Sequence, residues 1–262
     1  MMFTGVVMAT FDGNSSVIEY SNTLLNSSQD PLINVSLQLR TRDVSATVLY
    51  LQHSVSNRFF SVQLSDGKLQ ILYDLGALPF NTDALVADGI WHEVTLMFSR
   101  NMTYLIIDGN TTDDQPIAEN HLQNFFDSSC DVFVGADAEG NDHFKGCLAE
   151  VRINSKLLPF FTRAELANDT SVERFNVVQM HDVEIGCHSD DVCGYTNCLN
   201  NGTCRDVWNA HVCDCAAGFN GTMCEDDIDE CAAHSRCENG ATCIDGIASY
   251  SCNCSAGFSG LL

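Results

Sequence analysis

The acidic run Asp227, Ile228, Asp229, Glu230 leads straight into Cys231; Asp245 follows Cys243 by two residues, and Tyr250 precedes Cys252 by two. Calcium takes several hard oxygen ligands, and carboxylates with backbone carbonyls on one clamped hairpin supply that kind of donor set. The plainer reading of the same acids is a solvated linker between modules; the presence of both halves of the pattern favours the metal. Catalysis has no comparable foothold. His92 follows Trp91 at the head of a strand-like run, where it reads as a structural residue, and none of the 8 histidines falls in an H-E-x-x-H or His/Cys zinc spacing. With no nucleophile elbow, phosphate loop or metalloprotease motif, the chain reads as a binding protein and not an enzyme.

Those acids must be held in place, and the cysteines are the means. All 14 lie from Cys130 onward, and eleven of them fall between Cys193 and Cys254. A tail with so few large apolar residues cannot fold on its own core and must be cross-linked, which requires an oxidising compartment. The spacing from Cys193 to Cys224 is C-x4-C-x5-C-x8-C-x-C-x8-C, with Gly218 and Phe219 in the last loop; from Cys231 to Cys254 it is C-x5-C-x5-C-x8-C-x-C. Neither contains the paired C-x2-C knuckles of a zinc ribbon, and six cysteines alone leave fifteen pairings open.

Nine N-x-Ser/Thr sequons, at Asn14, Asn26, Asn34, Asn101, Asn110, Asn168, Asn201, Asn220 and Asn253, agree with a secreted or cell-surface protein. Twelve basic against 35 acidic residues leave a net charge of −23, which repels nucleic acid, anionic lipid and heparin-like polyanions. No apolar run approaches the ~20 residues of a membrane span, and the opening residues lack the basic and long apolar regions of a signal peptide. The expectation is an internal piece of a longer protein, with secretion signal and any anchor outside it.

Before the cysteine-rich tail the sequence is strand-like. Runs at 46–52, 59–64, 68–73, 90–98, 102–107, 131–135, 148–153 and 175–180 are rich in β-branched and aromatic residues, and Asp66-Gly67 sits where a tight hairpin turn is needed. Val94, Leu96 and Phe98 alternate with Glu93 and Thr95, as a strand with one buried face requires. One short helix is expected near Thr162 to Asn168. Many strands and few helices predict an antiparallel β-sandwich. Cys130 shares a strand face with Val132 and Val134, so it is expected to be a buried small hydrophobe.

The stretch from Asp88 through Trp91, His92 and Val94, the Ile107-Asp108-Gly109 turn, and the stretch Phe144-Lys145-Gly146-Cys147 to Val151-Arg152-Ile153 resemble the hallmarks of laminin-G-like domains. The resemblance implies an all-β, jelly-roll-type antiparallel sandwich over residues 9–187, after a leader fragment at 1–8, with a disulfide between Cys147 and Cys187. Some laminin-G-like domains carry calcium at positions that fall here near Arg58 and Asp127. Arginine is cationic and offers no acceptor, so no calcium is expected on the sandwich, and Arg58 is expected to pair with Asp127.

The cysteine spacings resemble small disulfide-rich EGF-like modules at 189–225 and 227–262, the second ending before its sixth cysteine. Family connectivity implies pairs Cys193 with Cys204, Cys198 with Cys213 and Cys215 with Cys224, then Cys231 with Cys243 and Cys237 with Cys252. The second module resembles calcium-binding EGF modules, whose ligands map to the side chains of Asp227, Glu230 and Asp245 and the carbonyls of Ile228, Gly246 and Ser249. In the first, Val192 and His211 depart from that pattern although Asp206 keeps it, so Ca2+ is expected only in the second. Both modules carry a C-x4-[ST]-C pattern resembling an O-fucose acceptor, ending in Thr203 and Thr242. The 144–161 stretch and the Asp206, Val207, Trp208, Asn209 tetrad look most like Crumbs family ectodomains. That resemblance implies an apical cell-surface polarity protein that meets extracellular proteins or glycans, homophilically or not; the competing expectation is a matrix protein of agrin, Slit or eyes-shut type.

Overall fold

The computed structural model describes residues 8–21, 33–54, 56, 58–73, 80–99, 102–111, 115–116, 129–160, 175–232 and 237–260. The expected helix at 162–168, Asp127 of the expected Arg58 pair, and the sequons at Asn26, Asn101 and Asn168 lie outside them. The chain divides into two compact units, residues 1–188 and 189–262.

Alternation of apolar and polar residues builds the first unit. In β3 (Ile33–Thr41) Ile33, Val35, Leu37 and Leu39 are buried while the residues between them are half exposed, and β8 (Trp91–Phe98), pairing antiparallel with β3, repeats the pattern with Val94, Leu96 and Phe98. One sheet runs in the order β10 (Asn110–Thr111), β9 (Met102–Ile107), β8, β3, β13 (Lys145–Ile153), β1 (Met8–Asp12), β16 (Val183–Ile185). The other runs β15 (Asn176–His181), β2 (Val17–Ser21), β12 (Cys130–Val134), β4 (Ala46–His53), β5 (Phe59–Ser65), β6 (Lys68–Tyr73), β7 (Phe80–Leu85). Met8, expected in a leader, is the first residue of β1 and pairs with Ala149.

The inner faces meet in one core. Phe60 and Phe98, from opposite sheets, pack edge to face with centroids 5.5 Å apart, and Phe11 meets Phe144 and Phe160 in the same way. The buried Tyr20 hydroxyl donates to the Pro159 carbonyl at 2.9 Å, satisfying the one polar atom that its ring carries inside. Cys130 is buried beside Val132 and Val134 on β12 and stands outside the disulfides. Asp66 and Gly67 (φ 53° and 74°) close the β5–β6 hairpin with both central residues left-handed, as a two-residue turn demands. Gly146, on β13, is required for a different reason: a Cβ there would stand 2.5 Å from the Arg40 carbonyl of β3.

Two chain crossings between the sheets are tied together. The turn from β1 to β2 is organised by Asp12, whose carboxylate accepts the amides of Asn14, Ser15 and Ser16 and the Ser16 hydroxyl. Burial alone would raise its pKa, but those donors hold it well below the usual carboxylate range. The crossing from β15 to β16 passes through Asp182, which receives the hydroxyls of Ser15 (2.6 Å) and Ser16.

The second unit has three short hairpins: β17 (Thr203–Asp206) with β18 (His211–Asp214), β19 (Phe219–Asn220) with β20 (Asp226–Asp227), and β21 (Thr242–Gly246) with β22 (Ser249–Asn253). Val192, Trp208, Cys224 and Cys237 are its buried apolar residues among those described. So small a core cannot offset chain entropy, and the disulfides limit the unfolded state instead.

Candidate metal centre

Of the acids predicted to hold calcium, Asp245 meets the Glu230 backbone and Asp227 meets the Ala248 backbone at the β21–β22 hairpin, while among the described residues the carboxylates brought within reach of a single ion are those of Asp229 and Asp245. The Cys231–Cys243 disulfide draws the 227–230 segment to β21, and Cys237–Cys252 anchors β22. Asp245 Oδ1 accepts the Glu230 amide at 3.1 Å, and Asp227 Oδ1 accepts the Ala248 amide at 2.7 Å, so each half of the motif is bonded to the other. Glu230 Oε2 is buried with no hydrogen-bond partner among the described residues. An ionised carboxylate oxygen removed from water without a donor is costly, and a bound cation removes the cost.

Gly246 and Ser249 face each other in register, and a Cβ at Gly246 would lie 3.3 Å from the Ser249 carbonyl oxygen. A side chain there would press on a carbonyl in the expected ligand set. The Ile228 amide donates to the Gly218 carbonyl of the preceding module at 2.8 Å, leaving the Ile228 carbonyl as its ligand atom. The side chains of Asp227, Glu230 and Asp245 offer the hard oxygen donors that a dication takes, and Ca2+, when bound, would supply charge neutralisation among these acids.

One acid escaped the sequence reading. Carboxylate atoms of Asp229 and Asp245 and the Cys231 sulfur lie within 4.8 Å of one another. That trio is no thiolate site, because the sulfur is bonded to Cys243. Asp229 Oδ1 accepts the amides of Cys231 (2.8 Å) and Ala232 (3.0 Å), so it shapes the turn into the module and adds negative potential beside Asp245. The spacing of an Asp two residues before Cys231 is that of an Asx turn and could have identified this role.

In the first module Cys193 pairs with Cys204, Cys198 with Cys213 and Cys215 with Cys224, and in the sandwich Cys147 pairs with Cys187. These are the pairs that the resemblance implies. Asp206 there accepts the Trp208 amide at 2.8 Å and so closes its own hairpin loop, and His211 Nε2 lies 3.2 Å from Met223 Sδ.

On the sandwich, His92 is buried between two carboxylates. Nδ1 lies 2.7 Å from Asp108 Oδ2 and Nε2 lies 3.0 Å from Asp88 Oδ1, while Asp108 Oδ1 also accepts the Glu93 amide at 2.9 Å. Burial pushes the imidazole pKa down, but the two carboxylates outweigh it and raise it above the usual value. The arrangement ties β8 to the β9 turn. Of the sequons, Asn14, Asn110, Asn201, Asn220 and Asn253 are exposed, whereas Asn34 lies within β3 with Oδ1 accepting the Ser155 amide at 2.9 Å. Thr203 and Thr242 are exposed at the starts of β17 and β21.

Residues 39–156 match the laminin G domain family, and residues 187–222 and 231–262 match the EGF-like domain family. Protein crumbs homolog 1 of Mus musculus is 28% identical over 241 residues, covering 87% of this chain and 17% of that protein. Protein crumbs homolog 2 of Homo sapiens is 31% identical over 82% of this chain and 15% of its own length, and Neurexin-4 of Drosophila melanogaster is 24% identical over 74% and 14%. The chain thus spans less than a fifth of these relatives. In solved structures the fold resembles domains LG4-5 of the mouse laminin alpha1 chain, with a TM-score of 0.52, 19% identity and coverage of 69% of this chain and 47% of that one. The LG1-3 region of the laminin alpha2 chain gives 0.51 at 22% identity, covering 71% and 35%. The chain thus carries a laminin G domain followed by EGF-like domains, an order in which Crumbs homologs 1 and 2 align with it along most of its length.

Proposed function

We propose that this chain is a non-enzymatic recognition segment of an extracellular, cell-surface protein, and that Ca2+ bound by its second EGF-like module stiffens the joint with the first. The buried Glu230 Oε2, without a hydrogen-bond partner among the described residues, together with the Asp245 carboxylate on the Glu230 amide and the Asp227 carboxylate on the Ala248 amide, carries the reading. In it, Asp227, Glu230 and Asp245 give side-chain oxygens, and Ile228, Gly246 and Ser249 give carbonyls. The site abuts the joint: Phe219 and Asn220 pair with Asp227 and Asp226, and a Cβ at Gly218 would fall 2.5 Å from Ala248. A cation drawing Asp227 and Ile228 onto the hairpin therefore also fixes the strand that pairs with the first module.

The role of these acids is mechanical. Recognition then belongs to loops of the rigid sandwich, which meet extracellular proteins or glycans, a second copy of the chain included. The similarity to Crumbs homologs supports an apical polarity setting. Among the described residues no helix is long and apolar enough to cross a membrane. Amide hydrogen exchange of the secreted chain tests the proposal. Calcium is expected to slow exchange at Gly218 through Ile228 as well as at the hairpin, and equal exchange rates with calcium and with chelator would refute the joint-stiffening role.

A further inference from the structure

Two acceptors of different sugars stand side by side on the β21–β22 hairpin. Thr242, the O-linked acceptor position, and Asn253, the N-linked one, are direct antiparallel partners. Directly paired residues point to the same face with Cβ atoms about 5 Å apart. Both are exposed, and that face continues through Ile244 and Ser251, the next pair but one, with Ile244 half exposed. A single hexose ring is about as wide as the gap, so a sugar on either residue covers the other.

We propose that Thr242 and Asn253 are mutually exclusive glycosylation sites, with the N-glycan taking precedence. N-linked transfer joins the anomeric carbon of a lipid-pyrophosphate-linked oligosaccharide to Asn253 Nδ2; the amide loses a proton and the lipid pyrophosphate departs. O-linked transfer joins the anomeric carbon of a nucleotide sugar to Thr242 Oγ1, releasing the nucleoside diphosphate and the hydroxyl proton. The order follows from the folded geometry. Asn253 is held in β22, and the Ser255 hydroxyl that completes its sequon donates to the Gly240 carbonyl at 2.9 Å. The N-linked reaction therefore belongs to the chain before the hairpin closes, whereas Thr242 stays presented on the closed hairpin. The first module has no such cross-strand pair, since Thr203 faces Asp214.

The sequence makes the test direct. No Lys or Arg occurs from Cys237 to Leu262, so one tryptic peptide reports both residues. The chain secreted from animal cells is reduced, digested and mapped by mass spectrometry, alongside Asn253→Gln and Ser255→Ala. The expected result is peptides with an N-glycan or with an O-linked sugar but not with both, and a several-fold rise in Thr242 occupancy in each variant. Doubly modified peptide at the product of the two single occupancies would overturn the proposal, as would an unglycosylated Asn253 or a Thr242 occupancy that neither variant changes.

Discussion

At the scale of single residues, His92 and Gly246 separate structural from ligand-binding roles. His92 has a raised pKa in the fold, so its contribution is complete below the unfolded value of about 6.5 and disappears as pH rises through the folded value. The sandwich should therefore lose thermal stability as pH rises from about 6.5 through the raised pKa of His92. His92→Gln should flatten that slope and, having lost two charge-assisted contacts, melt about 6 °C lower in a thermal scan. Asp88 and Asp108 have lowered pKa values, so their contribution is present above the unfolded value of about 3.9 and fades below it as pH falls through the folded values. Gly246→Ala should leave the disulfides intact while weakening calcium affinity about tenfold in a titration, because the new methyl group displaces the Ser249 carbonyl.

At the scale of elements, the sandwich and the EGF-like modules depend on different forces. Leu37 is buried at the middle of β3, and Leu37→Ala should cost about 3 kcal/mol, read as a drop of about 9 °C in melting temperature. A reductant should unfold the hairpins of residues 189–262, which have little apolar core, while the sandwich keeps its β circular dichroism signal because its one disulfide supplements a packed interior. The same difference explains what was legible in the sequence. The runs at 46–52, 59–64 and 68–73 announce β4, β5 and β6 because β-branched and aromatic residues cluster there, and Asp66-Gly67 fixes their turn. The first strands, β1 and β2, are short and gain definition from the local turn around Asp12 and from Asp182, whose contacts are distant in sequence and signalled by no periodicity. β15 is exposed at every position, so neither alternation nor burial marks its true end at His181. In the candidate metal centre, family spacing named the expected ligand residues, but the turn-forming part of Asp229 and the buried state of Glu230 Oε2 depend on three-dimensional closure.

At the scale of the whole molecule, a net charge of −23 restricts what can approach, and the nine sequons offer sites for sugars. Site-by-site mass spectrometry should find glycans at Asn14, Asn110 and Asn220, which are exposed. In this account the acidic hairpin uses part of that negative charge to hold a cation. Isothermal titration of Ca2+ into the secreted chain, with Asp245→Asn and Glu230→Gln in parallel, tests that use directly. The account predicts one site per chain in the native protein and a loss of affinity of about a hundredfold in either variant. Native protein that takes up no calcium, or variants that bind it as tightly as the native chain, would contradict it.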